Sequence, residues 1–167
     1  MTRQRARTMP SVTDDDMWLD ETEQLAWRKY LQMHRLLFAH LIQHQQREFG
    51  LSAADYEIMV NLSEAPRGRM RAFELGESTL WEKSRLSHHL KRMEQRGLVC
   101  REVTGNSRSP DIALTAAGRA AITGAAPAHA ANVRTWFAEA IGPERLAVLT
   151  ESCDAVMEAL ESHDCPL

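Results

Sequence analysis

Apolar residues recur along most of this chain at the three- and four-residue steps of an amphipathic helix, and one short stretch breaks that period. From about Asp20 to Phe49, Trp27, Leu31, His34, Phe38 and Leu41 form one row, and Tyr30, Met33, Leu37 and His40 form a second beside it. Two rows are wider than one small neighbour would cover, so the pattern predicts a long helix that packs on a partner subunit. Gly50 ends it. Ser52 is a suitable N-cap for a helix over Ala53 to about Glu64, with Asp55 in its first turn and Pro66 and Gly68 past its end. A short helix from about Ala72 to Ser78 follows, then a longer one from about Glu82 to Arg96, stopped by Gly97. The helical period is lost over Leu98 to Val103 and Asp111 to Leu114, which read as two strands around Gly105, Asn106, Ser107, Ser109 and Pro110. Thr115 caps an alanine-rich helix that reaches about Ala140 and is expected to be disturbed near Pro127. After Gly142, a last helix from Pro143 to about Glu161 carries Leu146, Leu149, Cys153, Val156 and Leu160 on one side.

This order predicts a mainly α fold: a winged helix-turn-helix lobe with a small β-hairpin wing, plus N- and C-terminal helices forming a dimerisation region. The expected division is a polar, mobile tail over residues 1–19, a dimerisation helix over 20–50, the winged lobe over 51–114 and C-terminal dimerisation helices over 115–167.

The helix after Glu82 carries the most informative chemistry. Leu86, Leu90 and Met93 share one face, while Ser84, Arg85, His88, Lys91 and Arg92 turn toward the other. Cations and small hydroxyls without bulky apolar neighbours are what a helix needs to reach phosphates and base edges in the major groove of double-stranded DNA. Lys91 lies toward the edge of that stripe and suits a phosphate contact. Charge supports the assignment only when it is read locally. The whole chain carries minus 3, but Arg67 to Arg108 holds ten basic and five acidic side chains, a balance of plus 5 against minus 8 for the remainder.

Composition narrows the alternatives. The chain is 44% hydrophobic and 26% charged, as in a soluble domain, and no apolar run nears the roughly 20 residues of a membrane span. Arg3, Arg5 and Arg7 precede Asp14, Asp15 and Asp16 rather than an apolar segment, so no secretory signal is expected and the cytoplasm is the expected compartment. Cys100, Cys153 and Cys165 are odd in number and widely spaced, which fits free thiols. No nucleophile with a base partner, paired carboxylates or phosphate-binding glycine cluster stands out, so neither an enzyme nor a cofactor is expected.

Residues 51 to 122 resemble the DNA-binding lobe of the MarR family, the bacterial multiple antibiotic resistance regulators. The likeness rests on Lys83-Ser84-Arg85-Leu86-Ser87-His88, on Arg92-Met93-Glu94-Gln95-Arg96-Gly97-Leu98-Val99 and on Leu114-Thr115-Ala116-Ala117-Gly118, and with the flanking helices it covers roughly residues 20 to 160. It implies a homodimer with interlocked terminal helices, reading helices in successive major grooves of a pseudopalindrome, and DNA affinity lowered by a small aromatic or anionic effector. It also implies that Ser84, Arg85, Ser87, His88 and Arg92 lie on the reading helix and that Arg108 is the wing-tip arginine of the minor groove. Two positions depart from the family pattern. Asn106 replaces the usual wing aspartate, and Glu82 stands where serine is common before the reading helix.

Three further groups carry possible chemistry. Trp27, Tyr30, His34 and Phe38 form an aromatic row that suits either an effector pocket or helix packing. His40 and His44, with His34 nearby, have a spacing open to a transition metal, although ordinary packing accounts for them and no metal is assigned. Cys100 at the start of the wing is a small apolar filler or a redox sensor. The resulting reading is a ligand-released repressor, with a protein-interaction module or a redox- or metal-responsive regulator as alternatives.

Overall fold

The structure, a computed structural model, describes residues 18–103 and 110–162. Two compact units divide the chain between Phe38 and Ala39. The first is represented by the leading part of helix α1 (Glu21–Phe49). Asp20 starts that helix with a reciprocal cap: the Glu23 amide donates to Asp20 Oδ1 at 2.8 Å and the Asp20 amide to Glu23 Oε2 at 2.9 Å.

In the second unit, α2 (Ala53–Glu64) starts at Ser52, whose hydroxyl accepts from the Asp55 amide while the Asp55 carboxylate accepts from the Ser52 amide. A 3-10 turn over Pro66–Gly68 leads to strand β1 (Arg69–Arg71) and α3 (Ala72–Thr79), and then to α4 (Lys83–Gln95). Strands β2 (Val99–Glu102) and β3 (Asp111–Leu114) follow, then α5 (Ala116–Val133), capped by the Thr115 hydroxyl. That helix continues through a π turn at Arg134–Ala138 into α6 (Glu139–Ile141), and Gly142 separates it from α7 (Pro143–Ser162).

The expected helices and both wing strands are present, with two corrections. The sheet has three antiparallel strands in the order β1-β3-β2, pairing Met70 with Ile112 and Cys100 with Ala113. The added strand, Arg-Met-Arg, is too short and too charged to carry an alternating pattern of its own; its two arginines instead bridge to Glu102 and Asp111. The helical irregularity lies at Arg134–Ala138, not at Pro127, which sits inside α5.

Ile58, Met59 and Leu62 from α2, Leu75 from α3, Leu86, Leu90 and Met93 from α4, Ile112 and Leu114 from β3 and Ile122 from α5 form one buried core. Each such side chain removed from water contributes about 1.5–3 kcal/mol, so the three apolar residues of α4 anchor it firmly to the core. Among the described residues, α7 has no buried side chain, and Val148, Val156, Met157 and Leu160 are exposed. Among the described residues no helix is long and apolar enough to cross a membrane.

Candidate nucleic-acid interface

Helix α4 is held from below and bare above. Leu86, Leu90 and Met93 point into the core, and Gly97, with φ of +71°, lets the chain turn away at its end. Ser84, Arg85, His88, Lys91 and Arg92, singled out from spacing, and Ser87, implied by the family resemblance, are all exposed. Among the described residues Lys83, Arg85, Lys91 and Arg92 form no salt bridge, which leaves their charge available to an outside anion. Glu82 makes no side-chain cap, in keeping with its poor fit to that role.

Four other basic residues of this segment are committed to the fold. Arg69 bridges to Glu102 at 3.0 Å, Arg71 to Asp111 at 2.6 Å and Arg101 to Glu94 at 2.9 Å. Arg96 donates to Asp55 Oδ2 at 2.6 Å and to the Gly50 carbonyl at 3.0 Å, tying the end of α4 to the start of α2.

Asp55 also anchors a second arm that spacing alone did not reveal. The carboxylate is almost wholly buried, and its Oδ1 lies 3.1 Å from His89 Nε2. Burial pushes the Asp55 carboxyl up, but the hydrogen bond from Arg96 and those from the Ser52 backbone and hydroxyl outweigh it, so the group stays ionised below the ordinary carboxylate value. His89 Nδ1 receives a hydrogen bond from Arg92 Nη2 at 2.9 Å. The His89 ring meets Trp81 edge-on with centroids 5.5 Å apart, and the Arg85 guanidinium covers the Trp81 ring at 4.0 Å. A cavity of about 530 Å³ opens beside this cluster, lined by Ser52, Asp55, Trp81, Arg85, His89 and Arg92 among others. Two exposed arginines of α4 are thus seated on buried groups, Arg85 on Trp81 from the turn before the helix and Arg92 on His89 of α4 itself.

No family model and no curated protein matches the chain. Among solved structures it is similar to AbsC, a MarR family transcriptional regulator from Streptomyces coelicolor, at 41% identity over 87% of this chain and 99% of that one, with a TM-score of 0.81. The chain belongs to the MarR family. A second MarR family regulator from Streptomyces coelicolor, Sco3205, whose structure was solved in complex with DNA, is 35% identical over 93% of this chain and 98% of its own, with a TM-score of 0.83. A third, from Silicibacter pomeroyi, is 26% identical over 84% of this chain and 92% of its own, with a TM-score of 0.64.

Of the remaining candidates in this MarR family member, Arg108 and Asn106 lie outside the described residues. Trp27, Tyr30, His34 and Phe38 form a ladder along α1, with successive centroids 5.7, 6.1 and 4.5 Å apart, and all four side chains are exposed in the single chain. His40 and His44 face the Trp136 ring at 5.9 and 6.2 Å. Cys100 is half-buried, and burial together with Glu102 pushes its thiol above the ordinary value, which favours the unreactive protonated form.

Proposed function

We propose that this chain is a homodimeric transcriptional regulator that binds double-stranded DNA through α4, acting as a repressor at a pseudopalindromic operator until a small aromatic or anionic effector binds. The carrying observation is the upper face of α4, where Lys83, Arg85, Lys91 and Arg92 stand exposed and free of salt bridges beside Ser84, Ser87 and His88. Arg85 and His88 suit base edges, and Lys91 suits a phosphate. Stacking on Trp81 leaves the in-plane donors of Arg85 directed outward. The relative solved with DNA shares this fold at 35% identity. Arg108, implied by family resemblance, would add a minor-groove contact.

Pairing of two copies is supported by what a lone chain leaves bare. Trp27, Tyr30 and Phe38 on α1 and, separately, Val148, Val156, Met157 and Leu160 on α7 are exposed, each a row of large apolar side chains left without cover. The ladder of Trp27, Tyr30, His34 and Phe38 is the candidate effector surface. An effector needs only a different affinity for the two dimer geometries to change DNA binding.

The test is fluorescence anisotropy with duplexes from the gene's own upstream region and with random duplex, over a range of salt. Lys91→Ala should weaken both and reduce the slope of log affinity against log salt by about 1 per lobe. Arg85→Ala should narrow the gap between specific and random DNA by about 1–3 kcal/mol. A protein that ignores all duplexes at low salt, or that light scattering finds as a single chain, overturns the proposal.

A further inference from the structure

We propose that His89 is a positioning residue for DNA recognition: from beneath the reading helix it holds Arg92 through Nδ1 and braces the Trp81 ring on which Arg85 rests, and protonation of His89 releases Arg92. The inference rests on α4 being the DNA-reading element.

The geometry defines the proton arrangement. A guanidinium has only donors, so the 2.9 Å contact from Arg92 Nη2 requires Nδ1 to be the unprotonated acceptor. The remaining ring proton then sits on Nε2 and points to Asp55 Oδ1 at 3.1 Å. Asp55 is itself fixed by Arg96 and by the Ser52 amide, so the imidazole cannot rotate without breaking bonds made to two other groups. His89 is 7% exposed, and its ring edge abuts Trp81. The charged groups facing it are Asp55 from α2 and Arg92 and Arg96 from α4, with Arg85 on the neighbouring Trp81.

A second proton on His89 would place an N–H against the Arg92 N–H and a positive charge beside a guanidinium. Arg92 would lose its hydrogen bond to the ring and swing away, with the adjacent cavity offering the space. Burial, with Arg92 and Arg96 adding to it, lowers the His89 pKa in spite of Asp55, so the neutral, holding form is the one present near neutrality.

The experiment measures DNA affinity of the full chain by anisotropy from pH 8 to pH 4.5 at constant ionic strength, with far-UV circular dichroism at each pH. The wild-type chain serves as the parent. The parent should lose affinity about tenfold on acidification, with a midpoint that coincides with the titration of the His89 ring protons by NMR. His89→Gln in that parent keeps a donor toward Asp55 but loses the acceptor toward Arg92; it should bind about tenfold more weakly at pH 8. His89→Asn keeps an acceptor toward Arg92 and does not titrate; it should bind more tightly than His89→Gln and lose the acid dependence. Parent and His89→Gln binding equally at pH 8, or affinity and NMR midpoints that differ, would overturn the proposal while leaving DNA binding by α4 intact. A parent that binds no duplex at any pH overturns both. The midpoint comparison needs no variant at His89, so it decides the matter even if His89→Gln does not fold.

Discussion

Replacing Gly118 by alanine should destabilise the protein even though it puts the best helix former into a helix. An added Cβ would lie 1.9 Å from the Leu98 carbonyl oxygen, 2.9 Å from the Leu98 carbonyl carbon and 3.3 Å from Leu114 Cδ2. Neither side can yield freely. Leu98 O accepts from the Thr115 amide at 3.1 Å, Leu98 N donates to Met93 O at 2.9 Å, and the Thr115 hydroxyl that caps α5 also donates to Gly97 O at 2.5 Å. Backing α5 away from Leu98 opens the Thr115 bonds, each worth about 0.5–1.5 kcal/mol, and weakens a cap worth about 1 kcal/mol. Against this, the gain in helix propensity is about 1 kcal/mol. With overpacking at about 1–3 kcal/mol, the net loss is about 2–4 kcal/mol, or about 5–15 °C in midpoint for a chain of this size. Gly124 is the internal control. It lies in the same helix with nothing within 4 Å of an added Cβ, so Gly124→Ala should raise stability by up to about 1 kcal/mol. Thermal and urea unfolding followed by circular dichroism, at one protein concentration, reads both variants. A Gly118→Ala midpoint at or above wild type, with Gly124→Ala raised as expected, refutes the claim that backbone contact with Leu98 decides this position.

Arg96→Ala should cost about 1.5–3 kcal/mol in urea unfolding, because it withdraws a charged donor from a buried carboxylate; an unchanged midpoint would mean that the Ser52 and His89 contacts suffice for Asp55. Stability should fall on acidification in two stages. His89 and His129 have pKa values lowered by burial from the ordinary 6.5, so the stability they lend is complete above that value and is lost as pH falls toward their folded values. Asp55, held below 3.8 despite its burial, contributes in the same sense at lower pH, and urea midpoints that stay flat between pH 7.5 and 5 would contradict the histidine part. Leu80, exposed and left-handed at φ +54° in the turn between α3 and α4, should tolerate glycine with a gain of about 0.5–1 kcal/mol; a lowered melting temperature for Leu80→Gly would show that its side chain contributes packing after all.

The parts of this protein that were legible in the sequence are those whose cause is local. Helix α4 could be read because Leu86, Leu90 and Met93 recur at its period, and Ser52, Gly97 and Thr115 marked boundaries through their own backbone chemistry. What escaped was set by partners far along the chain. His89 differs from His88 by one helical step, yet Asp55, 34 positions earlier, makes it a buried hydrogen-bonded group while its neighbour stays exposed. Arg96 likewise belongs to Asp55, 41 positions away, and Arg69 and Arg71 to a strand too short to betray itself. The same pairings change the electrostatic argument. Ten basic residues between Arg67 and Arg108 suggest a strong polyanion footprint, but Arg69, Arg71, Arg96 and Arg101 are already neutralised by carboxylates within the fold. A phosphate can displace such a partner only by stranding a carboxylate, which for Asp55 means a buried one. The number of counterions released on DNA binding should therefore follow Lys83, Arg85, Lys91 and Arg92, with whatever exposed Arg67 and residues 104–109 add, and not the full count of basic side chains.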